Sequence, residues 1–217
     1  MMYLGKKPTS KKSKQAEEIS QEVEIQLNEE IADMFGGPDL GVSVEDNRIY
    51  FYTDVSQESV HKLNKALKKL DLELQMAKLR FAMPFYPQIE LHIQSNGGDA
   101  FAGFSAVDTI RSCVCPVHTY IDGGAASAAT IMSVVGTKRF ATKHSFMLIH
   151  QLSAYAHGTH KRFQDEMQNQ QELMSKLLTI YAEHSTMSRT EVEECLKHDL
   201  WFNAEKCLSL GLIDEVL

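Results

Sequence analysis

Three residues of the types that cooperate in nucleophilic catalysis are spread over the second half of the chain: Ser127, His150 and Asp199. Ser127 lies in Gly-Gly-Ala-Ala-Ser-Ala-Ala, and these small neighbours let backbone and ligand approach closely. A histidine can accept the proton of a serine hydroxyl and return it to a leaving amine, while a carboxylate orients the imidazole. Together the three residue types predict acyl transfer through a serine nucleophile.

The elements predicted around these residues bring the serine and the histidine to one edge of a sheet. Residues 117–121 and 146–149 have strand patterns, and residues 128–135 are typical of an apolar helix. Ser127 then falls at a strand-to-helix junction, where unpaired N–H groups can hold negative charge. His150 follows the second strand. The carboxyl ends of parallel strands are where α/β proteins place their sites.

A second glycine-rich turn supports this prediction. Gly97-Gly98 follows a predicted strand at residues 89–93. The backbone N–H groups of Gly98 and of Ala128, the residue after the serine, are candidate donors of an oxyanion hole. Two simpler interpretations stay open, because a glycine pair also makes an ordinary tight turn and a serine here also makes a helix N-cap.

The candidate acid stands beside large apolar residues. Asp199 is followed by Leu200 and Trp201, so we expect an embedded carboxylate that needs a partner, and the imidazolium of His150 would supply one. The alternative is a surface aspartate at the end of a helix, with His198 merely solvated.

Strand and helix patterns alternate through the middle of the chain, which predicts an α/β fold with a parallel sheet and right-handed βαβ crossovers. Ser56 and Ser188 have the sequence context of helix N-caps, and a long helix is predicted after Gly158. Residues 76–87, rich in aromatics and flanked by prolines, are predicted to be a loop or extension. Residues 16–35 fit either an edge strand or a weak helix.

Composition narrows the class of protein. The chain has 217 residues, 43% of them hydrophobic, and a net charge of −7, which argues against nucleic-acid binding. No apolar run approaches the ~20 residues of a membrane span. The four cysteines lack metal-site or disulfide spacing, so we expect reduced thiols, no metal and no cofactor. The lysine-rich start has no apolar signal region, which predicts a cytoplasmic location.

Five motifs in one order carry a family resemblance: Ser-x-Gly-Gly, Gly-x-Ala-Ala-Ser, Ile-His-Gln, Asp-x-x-Phe and Gly-Leu-Ile-Asp. With them the chain resembles the Clp protease proteolytic subunit over residues 48–217, most strongly from residue 89. The resemblance implies a crotonase-like α/β fold with a protruding handle helix. It also implies a serine endopeptidase with Ser127 as nucleophile, His150 as base, Asp199 as orienting acid, and Gly98 and Ala128 as oxyanion donors.

The resemblance further implies partners. Such subunits form stacked heptameric rings and receive polypeptides from an AAA+ unfoldase. Glu90 and His92 stand where the family has an apolar docking cleft, which argues against the usual docking, and Asn96 replaces a proline. Residues 1–47 are predicted to be a variable, partly disordered segment, and residues 76–87 are predicted to be an insertion. A divergent member of phage or plastid type, in a host cytoplasm or a plastid stroma, fits these departures.

Three other functions compete with this one. The chain could be a catalytically silent ring or scaffold subunit, although it keeps all three candidate triad residues. A crotonase-like acyl-CoA enzyme shares the two-N–H device but does not need Ser127, His150 and Asp199 together. A Ser–Lys membrane peptidase of similar fold is the weakest candidate, since a histidine occupies the base position.

Overall fold

The computed structural model describes residues 41–153 and 157–217. Its strands are β1 (Val42–Glu45), β2 (Arg48–Phe51), β3 (Ile89–Ser95), β4 (Val117–Ala126), β5 (Lys138–Ala141), β6 (Phe146–Leu148), β7 (Trp201–Asn203) and β8 (Glu215–Val216). Its helices are α1 (Gln57–Arg80), α2 (Ala100–Ser112), α3 (Ala128–Val134), α4 (His160–Glu183), α5 (Arg189–Leu196) and α6 (Ala204–Ser209). The predictions for residues 16–35 fall outside the described residues.

The strands form one mixed sheet in the order β1-β2-β3-β4-β5-β8, with β6 and β7 branching from β4. Every pairing is parallel except β1 with β2 and β6 with β7. The apolar residues of β2, β3 and β4 alternate inward, so Ile49, Leu91 and Ile121 are almost fully buried. This confirms the predicted α/β fold with a mostly parallel sheet.

Strand β4 changes partner along its length. Its first half, around Tyr120, pairs with β5, and its last residues, Gly124 to Ala126, pair with β6. Because one strand serves both neighbours, the sheet divides just before Ser127. His150, which follows β6, is thereby brought to the same edge as the serine.

Local capping residues begin most of the helices, and those at Ser56 and Ser188 were predicted. Ser56 and Ser188 each make a full capping box, at α1 and α5. Asn203 caps α6, and Thr159 caps the long helix α4. Only Leu177 and Tyr181, both near the end of α4, are buried among its described residues. Its first half exposes large apolar side chains, with Phe163 47% and Met167 63% accessible.

The structure corrects the prediction for residues 76–87. Helix α1 continues through Met76–Arg80, a run of strong helix formers, and ends at Phe81, after which Ala82 has a φ of 50° and Pro84 follows. Strands β1, β5 and β7 were not expected. Each of these strands is short. In β5 charged residues occupy half of the positions, so no apolar alternation predicts a strand there.

Candidate active site

Ser127 lies on a sharp turn between β4 and α3 with a φ of 54° and a ψ of −126°, a conformation that is costly for any residue except glycine. The Ser127 N–H donates to Leu148 O at 2.8 Å, and its carbonyl accepts from the Thr130 N–H at 2.9 Å and the Thr130 hydroxyl at 2.6 Å. The serine hydroxyl makes no capping hydrogen bond to the described helix. Its backbone is therefore fixed while its side chain stays available, which is not how a capping serine is used.

Glycine is required at the neighbouring positions 97 and 98 because other backbone atoms lie very close to them. A Cβ on Gly97 would lie 2.5 Å from Ala126 O and 2.6 Å from Ser127 Cβ, and one on Gly98 would lie 2.2 Å from Val55 O. Val55 holds the pair in place, since its N–H donates to Gly97 O and its carbonyl accepts from the Asp99 N–H, both at 2.8 Å. The glycine pair is thus pinned by a parallel bridge to the strand-like residue 55.

Two backbone donors are left over beside the serine. The Gly98 N–H takes no part in the bridge to Val55, and the Ala128 N–H begins α3, where no intrahelical acceptor exists. Neither N–H is a donor in the turn, loop and cap hydrogen bonds between backbone groups of the described residues. Two such donors can stabilise a negatively charged oxygen that forms between them.

His150 is held by its neighbours in sequence. Ile149 is fully buried, and the Gln151 N–H donates to Leu196 O at 2.8 Å. The imidazole is 21% exposed, and its Nδ1 lies 3.7 Å from Asp199 Oδ1. That separation permits an ionic contact but is longer than a hydrogen bond.

Asp199 departs from the expectation of an embedded acid. Its side chain is 83% exposed, and Leu200 and Trp201 beside it are 57% and 51% exposed. The apolar neighbours do not cover the carboxylate, because β7 is an edge strand that pairs with β6 alone among the described strands. In the single chain the Asp199 carboxylate therefore contacts His150 from a solvent-exposed position.

Four of the five predicted site residues line one cavity of about 350 Å³: Gly98, Ser127, Ala128 and His150. Asp199 is not part of its lining. The remaining wall is mainly apolar, built by Phe101, Phe104, Ile131, Leu152, Leu173, Leu177 and Tyr181. The cavity therefore offers space for a side chain directly beside the serine.

Tyr181 contributes a contact that the sequence did not reveal. Its hydroxyl lies 2.5 Å from the Thr130 hydroxyl, which in turn donates to the Ser127 carbonyl. Burial raises the pKa of Tyr181 above its ordinary range, so the phenol stays neutral. No local signal in the sequence links residue 181 to a residue 51 positions earlier.

The cysteines lie away from this cavity. Burial raises the pKa of Cys113 to about 11 and that of Cys115 and Cys207 to about 12, which keeps these thiols protonated at neutral pH. Within the described residues no group of three or more His, Cys, Asp or Glu side chains could hold a metal ion. None of the described helices has the length and apolarity of a membrane span.

A second histidine–aspartate pair lies on the sheet face away from the helices α1 to α3. His92 Nδ1 is 2.6 Å from Asp122 Oδ2, and the Tyr52 hydroxyl donates to the same oxygen at 2.7 Å. The His92 ring stacks between Tyr50 and Tyr120, with ring centroids 4.9 and 4.6 Å away. This cluster makes the outer face aromatic and hydrogen-bonded.

Glu90 adds charge to the same face. Its carboxylate accepts from Arg48 Nε at 2.8 Å. Burial raises the pKa of Glu90, but hydrogen bonds from Arg48 and Gln88 outweigh it and hold that pKa below its usual value. Where the sequence suggested a departure from an apolar docking cleft, the structure thus has a paired carboxylate and a paired histidine.

Comparisons with known proteins identify the family. A family model described as Clp protease matches residues 44–217. The chain is 30% identical over 178 residues to an ATP-dependent Clp protease proteolytic subunit 1 of Chlamydia muridarum, covering 80% of this chain and 88% of that protein. It is 37% identical over 146 residues to a proteolytic subunit 2 of Chlamydia trachomatis, covering 65% and 72%. It is 34% identical over 131 residues to a proteolytic subunit of Porphyromonas gingivalis, covering 59% of each. The chain therefore belongs to the Clp protease family and is a serine-type endopeptidase.

Proposed function

We propose that Ser127, His150 and Asp199 are the catalytic triad of this endopeptidase and that Gly98 and Ala128 supply its oxyanion hole. The observation that carries the proposal is the strained turn at Ser127, which leaves the hydroxyl without a capping hydrogen bond to the described helix and in the cavity that His150 also lines. Strain of this kind persists where a fixed geometry is needed. Two free N–H groups beside the hydroxyl add the anion site that acyl transfer requires.

Under this proposal each group has its own step. With Nδ1 facing Asp199, the other ring nitrogen of His150 accepts the Ser127 proton as Oγ attacks the scissile carbonyl. The negative oxygen that forms accepts hydrogen bonds from the N–H groups of Gly98 and Ala128. The C–N bond then breaks, the amine leaves with the proton from His150, and the acyl group stays on Ser127. Water, activated by the same histidine, hydrolyses the ester and restores the serine.

Assembly is part of the proposal. We propose that the chain works as an oligomeric ring subunit fed by an ATPase, in two stacked heptamers, within a cytoplasmic compartment. Two features support assembly: the apolar side chains exposed along the first half of α4, and the exposure of Asp199, which a neighbouring subunit could cover. The paired Glu90 and His92 argue for a partner contact more polar than an apolar cleft.

Labelling with a fluorophosphonate tests the assignment of the nucleophile. The Ser127 oxygen displaces fluoride from phosphorus, so an active serine gains one phosphonyl group that intact-mass analysis detects. We expect one adduct on the wild type and none on Ser127→Ala. Ser153→Ala is the matched control, because Ser153 is an exposed serine that lines the same cavity. A label that remains on Ser127→Ala would refute the assignment.

One observation favours a second candidate function. The 3.7 Å separation of His150 and Asp199 fits a silent ring subunit whose triad does not assemble alone. In that case the isolated chain takes no label, and mixing it with a candidate ring partner either restores labelling or leaves it absent. Persistent absence would favour the silent subunit over the peptidase.

A further inference from the structure

The cavity beside Ser127 changes character along helix α4. One stripe of that helix lines the cavity, and Tyr181 and Leu177 mark its apolar end, since Tyr181 reaches Ser127 through Thr130. The opposite end of the stripe is polar, with Gln170 and Glu166. Both are half-buried, whereas the residues between them, 167–169, are exposed. The polar pair therefore belongs to the cavity wall rather than to the open helix surface.

The polar end carries a carboxylate, Glu166, that forms no ion pair within the described part of the chain. Glu166 Oε1 accepts a hydrogen bond from Gln170 Nε2 at 3.3 Å, which orients the carboxylate. The second carboxylate of the lining, Asp99, is engaged as the N-cap of α2. No lysine or arginine belongs to the described lining. The nearby Lys161 forms its ion pair with Asp165, at 2.8 Å.

We infer that Glu166, oriented by Gln170, is a specificity-determining residue that selects a cationic substrate side chain and disfavours an acidic one. The inference deepens the proposed function, because it assumes that peptides occupy the cavity beside Ser127. Glu166 is eleven positions from Leu177, or roughly 16 Å along the helix axis. An extended peptide covers that distance in about five residues, so the selected side chain lies several residues from the scissile bond.

The size of the effect follows from the exposure of the carboxylate. A partly exposed ion pair is weak, and attraction for lysine combined with repulsion of glutamate predicts a roughly three- to tenfold preference. Salt should reduce this preference, because the Debye length falls from about 10 Å at 0.1 M to about 3 Å at 1 M. An apolar preference at the Tyr181 end would not depend on salt.

A peptide series tests the inference. One reference peptide is made with lysine or glutamate at a single position, moved in turn through the six residues on either side of the cleaved bond, and kcat/KM is measured. We expect one position at which the lysine peptide is favoured three- to tenfold. Glu166→Gln should bring that ratio close to one, while Glu172→Gln should not change it. Glu172 is the matched control, an exposed carboxylate on α4 outside the cavity lining.

Binding separates this inference from the proposed chemistry. The same peptides, labelled with a fluorophore, are titrated against Ser127→Ala protein with and without the Glu166→Gln change. A lysine preference that disappears with Glu166→Gln supports the subsite even if the wild type cleaves nothing, which would count against the catalytic proposal alone. Equal affinity for the lysine and glutamate peptides at every position overturns the subsite, whether or not cleavage occurs.

Discussion

His92 and Asp122 lie 2.6 Å apart on the outer face of the sheet, whereas His150 and Asp199 lie 3.7 Å apart beside the cavity. The outer pair comes from neighbouring strands, β3 and β4, and both side chains are mostly buried, at 17% and 22% exposed. The inner pair joins the end of one strand to a segment before an edge strand, and its aspartate is 83% exposed. The two pairs have the same residue types, but they differ in how firmly the surrounding structure holds the aspartate.

The difference shows that a short His–Asp contact does not by itself identify a catalytic pair. Asp122 is held by contacts with both Tyr52 and His92. This cluster, however, includes none of the serines in the described lining of the cavity, so the pair has no candidate nucleophile beside it. His150 has a looser aspartate but shares a cavity with Ser127 and two free N–H donors. We expect the outer pair to determine stability and the inner pair to determine rate.

Removing the charge of Asp199 should produce the largest effect of this comparison. With Asp199→Asn we expect kcat for a short peptide to fall by about 10- to 100-fold, less than the ~10⁴-fold loss seen when a buried triad aspartate is changed. Water already screens this exposed carboxylate. The urea midpoint should stay close to that of the wild type. A 10⁴-fold loss would mean that assembly buries Asp199, and the contrast between the pairs would then disappear.

The matched change on the outer face should have the opposite outcome. Asp122→Asn removes a charged acceptor of two hydrogen bonds, so the free energy of unfolding should fall by about 1.5–3 kcal/mol. Peptide cleavage under stabilising conditions should stay within about threefold of the wild type. Urea unfolding and kcat/KM measure the two effects. A rate loss larger than that of Asp199→Asn would reverse the assignment.

The outer pair should also show a pH signature. Burial raises the pKa of Asp122, but the hydrogen bonds from His92 and Tyr52 outweigh it and hold that pKa below its ordinary value. A carboxyl whose pKa is lowered in the folded state stabilises the fold at pH values above its unfolded-state pKa, which is near 4. This stabilisation is lost as the pH falls through the folded-state pKa. The stability gap between the wild type and Asp122→Asn should therefore be present at pH 6 and shrink below about pH 4. Thermal unfolding across this range measures it, and a gap that grows toward low pH would contradict the assignment.

Tyr52→Phe should have the smallest effect. It removes one donor to Asp122, and because Tyr52 is 40% exposed, water can replace the lost bond. We expect a loss of about 0.5–1 kcal/mol in the free energy of unfolding. Combined with Asp122→Asn, the two changes should be less than additive, since both act on one hydrogen bond. Full additivity would show that the tyrosine acts elsewhere.

Features fixed by local sequence were predictable. The capping boxes at Ser56 and Ser188 began their helices, and the small residues around Ser127 predicted the strand-to-helix junction. The exposure of Asp199 was not predictable from Leu200 and Trp201, because it depends on which strands cover the segment.

Contacts between distant residues were also beyond local signals. Tyr181 meets Thr130 and Tyr52 meets Asp122 only through the tertiary arrangement of α4 and of the strands. The end of α1 was not predictable for a different reason. The aromatics and prolines after residue 80 favour a loop, whereas the helix-forming run before them extends the helix to Arg80.

The strained backbone at Ser127 implies a trade-off between the proposed activity and thermostability. A non-glycine residue with this φ and ψ costs about 1–3 kcal/mol, which Ser127→Gly would partly recover. The most heat-resistant variants at this position should then be inert ones. A directed-evolution screen that selects on melting temperature alone would enrich proteins without the proposed nucleophile, so any such campaign on this chain needs a turnover assay at every round.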